Sequence, residues 1–158
     1  MMREDLLSTT CQWFAAAKQQ PAEPTPDSKQ AAFYLGMQLE ELGEKLSVVS
    51  PVDGKWLMAL GEAYKRGMND GPMALALQDP AKAKELLDGD IDLLWVSIGG
   101  ARAQGADVVG ALGEVSETNW NKRWDDGEFH IDPVTRKILK PEGWVAPDLT
   151  PFIHKSLR

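Results

Sequence analysis

The chain has 158 residues and carries 17 basic against 24 acidic side chains, a net charge of −7. This length predicts one domain that folds without a disulfide or metal, and the acidic balance argues against nonspecific binding to polymeric nucleic acid or an anionic membrane. The single cysteine, Cys11, excludes an intrachain disulfide and indicates a reducing compartment. With neither a membrane-length apolar run nor a signal-peptide pattern, we expect a cytoplasmic protein, or one in the host cytoplasm if a phage encodes it.

The spacing of apolar residues predicts a series of amphipathic helices. Pro21, Pro24 and Pro26 predict an extended linker after the first helix, because proline disfavours a helical residue before it. Asp27 is placed to cap the second helix, and Asp79, followed by a proline, to cap the longest one. The predicted helices cover 4–19, 28–49, 53–69, 81–103 and 107–118, with a short segment at 72–78.

Beyond Thr118 the sequence no longer predicts helices. Phe129-His-Ile131 and Lys137-Ile-Leu139 flank a proline-containing turn and predict a small hairpin, followed by a proline-rich tail. The predicted class is therefore all-α, with a short β-hairpin-like C-terminal appendage. Inside the longest helix, Gly99-Gly100 predicts a close contact with another helix.

Three glutamates crowd one side of the second predicted helix. Glu41 and Glu44 are three residues apart and Glu40 and Glu44 four apart, so all three are neighbours on a helix surface. Like charges at these spacings repel, and the arrangement is destabilising unless a cation lies between them.

A second acidic stripe lies on the helix predicted over 81–103. Glu85, Asp88 and Asp92 share one face, and Asp92 is followed at once by Leu-Leu-Trp-Val, whereas Asp90 lies off this face and is expected to be solvated. A carboxylate among apolar residues must be protonated, paired or bound to a metal. Hard divalent cations prefer several carboxylate oxygens, which two helices offering two acids each would supply. The predicted metal ligands are Glu41, Glu44, Asp88 and Asp92.

These acids resemble those of the MazG-like all-α nucleoside triphosphate pyrophosphohydrolases, in the superfamily of phosphoribosyl-ATP pyrophosphohydrolase. Glu41-Leu-Gly-Glu44 is similar to the family's E-x-x-E. Asp88 and Asp92 are similar to the D-x-x-x-D of a phage-like branch, in place of the usual E-x-x-D.

Two further segments carry the same resemblance. Residues 114–122 are similar to the branch's E-V-x-x-S-N-x-x-K segment, and residues 140–149 to its K-P-x-G-W-x-x-P-D-L tail. The resemblance implies one MazG-like helical-bundle domain over 1–158, with 52–79 as an insertion and 120–158 as the C-terminal appendage.

The resemblance implies hydrolysis of a nucleoside triphosphate to the monophosphate and pyrophosphate, with two or three Mg²⁺ or Mn²⁺ ions. It also implies a homodimer or homotetramer and favours deoxynucleotide substrates, with dGTP and dATP preferred because the phage-like branch includes such enzymes. Two alternatives stay open: a phosphoribosyl-ATP pyrophosphohydrolase, and a noncatalytic helical nucleotide-sensing or oligomerisation module. The complete four-acid set argues against the module.

The remaining candidate residues each have a functional and a structural interpretation. Glu40 is a candidate general base, and equally an outer support or further ligand of the metal. Asn119 and Lys122 match family positions near the bound phosphates. The structural interpretation is that Asn119 caps a helix and that Lys122 is an ordinary solvated lysine. Lys140 is predicted either to reach the triphosphate or to lie on the surface, and Trp144 either to stack on a base or to anchor the tail.

Other common catalytic motifs are absent from the sequence. His130 and His154 lie apart from the acidic stripes, and neither is paired in sequence with a nucleophile. The chain has no GxxxxGK[ST] loop, which excludes P-loop chemistry.

Overall fold

The structure is a computed structural model that describes residues 3–19 and 25–158, with side chains described from residue 6. These residues are mostly helical, which confirms the all-α class. The predicted linker at Pro21 and Pro24 lies outside the described residues. The helices are α1 (Arg3–Ala16), α2 (Ser28–Ser47), α3 (Pro51–Lys65), α4 (Asp70–Leu77), α5 (Pro80–Ala103) and α6 (Val108–Trp120). Two 3-10 turns follow at Thr150–Phe152 and Lys155–Leu157.

The helix ends follow local capping chemistry. Asp27 Oδ1 accepts a hydrogen bond from the backbone N–H of Gln30 at 3.0 Å, which confirms the predicted cap of α2. Asp79 Oδ1 accepts from Ala81 N–H at 3.0 Å, as predicted for α5. Helix α3 stops earlier than predicted, at Lys65, because Gly67 adopts a φ of +96° that a helix cannot continue through.

The hairpin-like appendage is held by a single antiparallel bridge between Ile131 and Ile138. The N–H of Leu139 donates to the carbonyl of His130 at 2.8 Å. The turn is stabilised by Asp132, whose carboxylate accepts two backbone N–H groups at 2.7 and 2.9 Å. Within the described residues, the β structure is limited to this bridge.

Contacts divide the chain into two compact units: a central unit, Thr25–Ile91, and a terminal unit made of the N-terminal segment and Asp92–Arg158. In the central unit α2 packs along α3 and also contacts α4. Helices α2 and α3 run antiparallel at close approach: a Cβ on Gly61 would lie 2.6 Å from the carbonyl oxygen of Gly36, and a Cβ on Gly43 would lie 2.8 Å from that of Gly54. The residues 52–79, predicted to be an insertion, thus form α3 and α4, which supply the packing surface for α2.

The terminal unit is built around aromatic residues. Helix α1 packs on α6, and the ring of Trp13 meets that of Phe129 edge-on at 6.0 Å between centroids. The indole N–H of Trp13 donates to the carbonyl of Asn119 at 3.0 Å, which ties α1 to the end of α6. Ala17 and Phe129 are buried in this unit.

None of the residues of α5 is buried, whereas α2, α3, α4 and α6 each contain at least one buried residue. At Gly99, one of the two glycines for which a close helix contact is predicted, a Cβ would meet no heavy atom of the described chain within 4 Å. Helix pairing through glycine occurs instead between α2 and α3. None of the helices in residues 3–19 and 25–158 has the length and apolar character needed to cross a membrane.

Candidate functional site

The three α2 glutamates occupy successive positions around the helix. Starting from Gly36, which faces α3, Glu40 lies about 40° around the helix axis, Glu44 about 80° and Glu41 about 140°. Glu40 is half-buried, whereas Glu41 and Glu44 are exposed. Helix α2 therefore presents Glu40 near α3 and the predicted E-x-x-E ligands progressively farther from it.

Glu40 is held by a cation on the neighbouring helix. The ammonium of Lys65, near the end of α3, lies 2.7 Å from Glu40 Oε2 and 3.0 Å from Glu62 Oε2. Burial opposes the charged form of this ammonium, but hydrogen bonds and attraction from the two carboxylates outweigh burial and raise the pKa of Lys65. The repulsion predicted among the α2 acids is thus relieved at Glu40 by a side chain of the protein itself.

On α5 one acid, Asp90, is hydrogen-bonded to α2. Its carboxylate accepts a hydrogen bond from Gln38 Nε2 of α2 at 2.9 Å. Asp90 shares its face of α5 with Ala83 and Leu86, which are partly buried. The sequence predicts only that Asp90 is solvated, so this contact with Gln38 is a structural finding that the sequence did not predict.

The predicted ligands on α5, Asp88 and Asp92, do not share the helix face of Asp90. Asp88 and Asp92 are both about 160° around the helix axis from Asp90 and about 40° from each other, and both are exposed. They therefore form one adjacent pair of carboxylates that faces away from Gln38. Neither is desolvated in the chain, so the predicted need to compensate a buried charge does not arise within it.

The donor chemistry of these acids suits a hard divalent cation, but the set is not assembled. The Glu41/Glu44 pair and the Asp88/Asp92 pair each offer carboxylate oxygens from one face of one helix, which is half of what Mg²⁺ or Mn²⁺ requires. Among the described residues, no group of three or more metal-ligating side chains is brought together. Each pair fits one side of a metal centre, and a complete centre requires the two pairs to meet.

A second cluster lies in the terminal unit, where α6 ends and the tail returns. The ammonium groups of Lys140 and Lys122 lie 4.3 and 5.6 Å from the centroid of the Trp144 ring. Lys122 also donates to Asn119 Oδ1 at 2.7 Å. All four predicted substrate-binding residues are therefore neighbours, although two come from 114–122 and two from 140–149.

The tail is fastened to α6 at two further points. The indole N–H of Trp144 donates to the carbonyl of Thr118 at 3.0 Å, and the backbone N–H of Asp148 donates to Glu114 Oε1 at 3.3 Å. The ring of Trp144 contacts two lysines and its N–H is bonded. The geometry favours the interpretation of Trp144 as an anchor of the tail over that of a base-stacking platform.

The cluster carries positive charge without a balancing carboxylate. In the part of the chain that the structure describes, neither Lys122 nor Lys140 forms an ion pair. Burial lowers the pKa of Lys122, and repulsion from Lys140 lowers it further. Two ammonium groups that repel each other, with the Asn119 amide beside them, form an arrangement that an anion would stabilise.

His130 and two tryptophans make structural contacts at and after the end of α6. The His130 ring stacks on Trp124 at 4.6 Å and lies 2.8 Å from the carboxylate of Asp126. The guanidinium of Arg123 lies 5.1 Å from the centre of the Trp120 ring. These contacts order the segment between α6 and the hairpin.

Comparisons of the chain with models of protein families, with curated proteins and with solved structures found no match. The assignment of function therefore depends on the residues and their geometry.

Proposed function

We propose that this protein is a metal-dependent pyrophosphohydrolase of nucleoside triphosphates, with the deoxypurine nucleotides dGTP and dATP as preferred substrates. The observation that carries the proposal is the Lys122/Lys140 cluster on Trp144. It joins the two segments that resemble the MazG-like family outside the acidic motifs. An otherwise acidic chain thereby acquires a local site for an anion such as a triphosphate.

In this proposal the α2 pair Glu41/Glu44 and the α5 pair Asp88/Asp92 hold the metal ions. Bound Mg²⁺ or Mn²⁺ would supply charge neutralisation of the phosphates and a water of lowered pKa. Glu40 accepts a proton from the attacking water, because it lies beside the ligand pair and its side chain is fixed by Lys65. Lys122 and Lys140 bind phosphate oxygens, and the Asn119 amide orients Lys122.

We further propose that the active form is a homodimer or a dimer of dimers. Leu87, Ile91, Leu94 and Ile98 follow one another at spacings of four, three and four residues along α5, a pattern typical of helix pairing. They are 61, 55, 50 and 40% exposed. A contiguous apolar face of this kind is costly in water, and a second copy of the chain supplies a matching surface.

The activity is tested by incubating the protein with each dNTP and NTP in the presence of Mg²⁺ or Mn²⁺ and identifying the products. Release of pyrophosphate and a monophosphate, abolished by EDTA and restored by excess metal, supports the proposal. Turnover of phosphoribosyl-ATP alone would assign the alternative biosynthetic activity. Absence of turnover with every substrate would contradict both enzyme assignments.

The anion site is tested separately with Lys122→Met and Lys140→Met. Each variant removes one positive charge beside Trp144, so the KM for the nucleotide should rise by roughly tenfold. Lys137→Met is the matched control, because Lys137 is exposed on the hairpin and is not part of the cluster. Equal KM values for all three variants would show that the cluster does not bind the substrate.

A further inference from the structure

The tail segment 140–149 is fastened to α6 by few bonds. Within these described residues the backbone forms neither a helix nor a strand. Among the described residues, two hydrogen bonds join this segment to α6: the indole N–H of Trp144 donates to the carbonyl of Thr118, and the backbone N–H of Asp148 donates to the carboxylate of Glu114. A segment held in this way opens locally at a free-energy cost far below that of global unfolding.

A turn in the tail segment brings two cations to one aromatic ring. The backbone N–H of Trp144 donates to the carbonyl of Pro141 at 3.1 Å, and Gly143 between them has a φ of +78°, which favours glycine. The ammonium of Lys140 thereby lies 4.3 Å from the centroid of the Trp144 ring in the same segment. Lys122, just beyond the end of α6, approaches the same ring at 5.6 Å. The ring is therefore contacted by one cation of the tail and by one cation next to α6.

The two lysines weaken the contact that they share. Their ammonium groups can be no more than about 10 Å apart, the sum of their distances to the ring centroid, so their charges repel. In the described part of the chain neither of them forms an ion pair. Burial lowers the pKa of Lys122, and repulsion from Lys140 lowers it further. Attachment of the tail segment brings these two charges together, and the repulsion therefore opposes attachment.

An anion that binds both ammonium groups reverses this effect, because it replaces one repulsion across the contact by two attractions. A polyphosphate suits two separated cations better than a single phosphate does, since its charged oxygens extend along a chain. Binding of such an anion and attachment of the tail segment then favour each other, as thermodynamic linkage requires.

We propose that residues 140–149 are a strap, which a polyphosphate anion fastens to the end of α6 by binding Lys122 and Lys140 together. The inference rests on the proposed function, in which the triphosphate of the nucleotide is this anion. The substrate fastens the strap when it binds, and departure of the products loosens it.

Hydrogen–deuterium exchange followed by mass spectrometry measures the fastening without turnover. The probe is inorganic tripolyphosphate in metal-free buffer, at about ten times the Kd obtained by calorimetric titration. Exchange occurs from the open strap and the anion binds the fastened one, so backbone exchange over 140–149 should slow by roughly tenfold. Sodium chloride at equal ionic strength should not reproduce this effect, and peptides from α2 and α3 should exchange as before.

Variants of the two lysines separate fastening from simple anion binding. Lys140→Met alters an exposed position and leaves the anion attached to Lys122 alone, so exchange over 140–149 should slow by less than about twofold even when the variant is saturated with tripolyphosphate. Lys122→Met should show the same loss from the other side of the contact. Lys140→Arg keeps the charge and the aromatic contact and should retain most of the slowing. Lys137→Met removes an equal charge from the hairpin and should respond as the unmodified protein does.

The possible outcomes distinguish the strap from the proposed function. The inference is wrong if tripolyphosphate binds without slowing exchange over 140–149, if α2 and α3 slow to the same degree, or if saturated Lys140→Met slows as much as the unmodified protein. Failure of tripolyphosphate to bind would overturn both the strap and the anion site of the proposed function. If the strap is fastened as expected but no nucleotide is hydrolysed, the proposed function alone fails.

Discussion

Replacing Gly61 by alanine should destabilise the protein, although intrinsic helix propensity predicts the opposite. A Cβ at this position would lie 2.6 Å from the carbonyl oxygen of Gly36, 2.9 Å from the backbone nitrogen of Glu40 and 3.3 Å from Leu39 Cβ. The two shortest contacts are with backbone atoms, which cannot rotate aside. Helix α3 would have to move away from α2 by roughly 1 Å to restore ordinary van der Waals distances.

The expected free-energy change follows from two opposing effects. Overpacking of a rigid contact costs about 1–3 kcal/mol, and exchange of glycine for alanine inside a helix returns about 1 kcal/mol. We expect a net loss of up to about 2 kcal/mol, which for a chain of this length lowers the Tm by up to roughly 6 °C. Differential scanning calorimetry is the appropriate assay, because it resolves separate transitions if the two units unfold independently.

Gly89→Ala is the matched control. Gly89 is also inside a helix, but a Cβ there would meet no heavy atom within 4 Å in the described chain. It lies on the side of α5 away from the apolar residues proposed to pair, so only helix propensity should act, raising stability by up to about 1 kcal/mol. If Gly61→Ala raises the Tm as Gly89→Ala does, the close packing of α2 on α3 described above is incorrect.

Further predictions test the site. Glu44→Gln and Asp92→Asn should each lower turnover by about a hundredfold or more at unchanged Tm, because each removes a hard anionic ligand without changing shape. Asp90→Asn should keep its turnover. If instead Asp92→Asn is active and Asp90→Asn is inactive, the metal ligands have been assigned to the wrong face of α5. Affinity for inorganic pyrophosphate without metal should fall as pH rises through the lowered pKa of Lys122, since the ammonium form binds the anion, and calorimetric titration between pH 7 and about 10 measures this. Light scattering at micromolar concentration should give at least twice the mass of one chain, and a monomer would contradict the proposed assembly.

Local chemistry in the sequence predicted much of the secondary structure. Asp27 and Asp79 mark helix starts because a carboxylate at that position satisfies N–H groups that the helix leaves free. The end of α3 predicted at residue 69 is four residues too late, because the positive φ of Gly67 requires the helix to have stopped before it. Capping and backbone conformation are short-range effects, and a single sequence records them well.

Contacts between helices were harder to predict. Gly36 and Gly61 are separated by 25 positions, and only the antiparallel pairing of α2 with α3 shows that they face each other. The spacing of Gly36 from Gly43 by seven residues, repeated between Gly54 and Gly61, was a signal that sequence reasoning could have used. Lys65 was missed for the same reason, because its partner Glu40 lies on another helix and the segment carrying Lys65 was set aside as an insertion.

The two candidate clusters have opposite charges. Glu41 and Glu44 are one helical turn apart and carry oxygen ligands for a cation, whereas Lys122 and Lys140 share one tryptophan and need an anion. An inert scaffold gains nothing from the two lysines, since replacing one of them would relieve their repulsion. A divalent metal suits the carboxylates and the phosphate oxygens of a nucleotide suit the lysines. Because each cluster then has a ligand of complementary charge, metal and nucleotide added together should stabilise the protein against thermal unfolding more strongly than either alone.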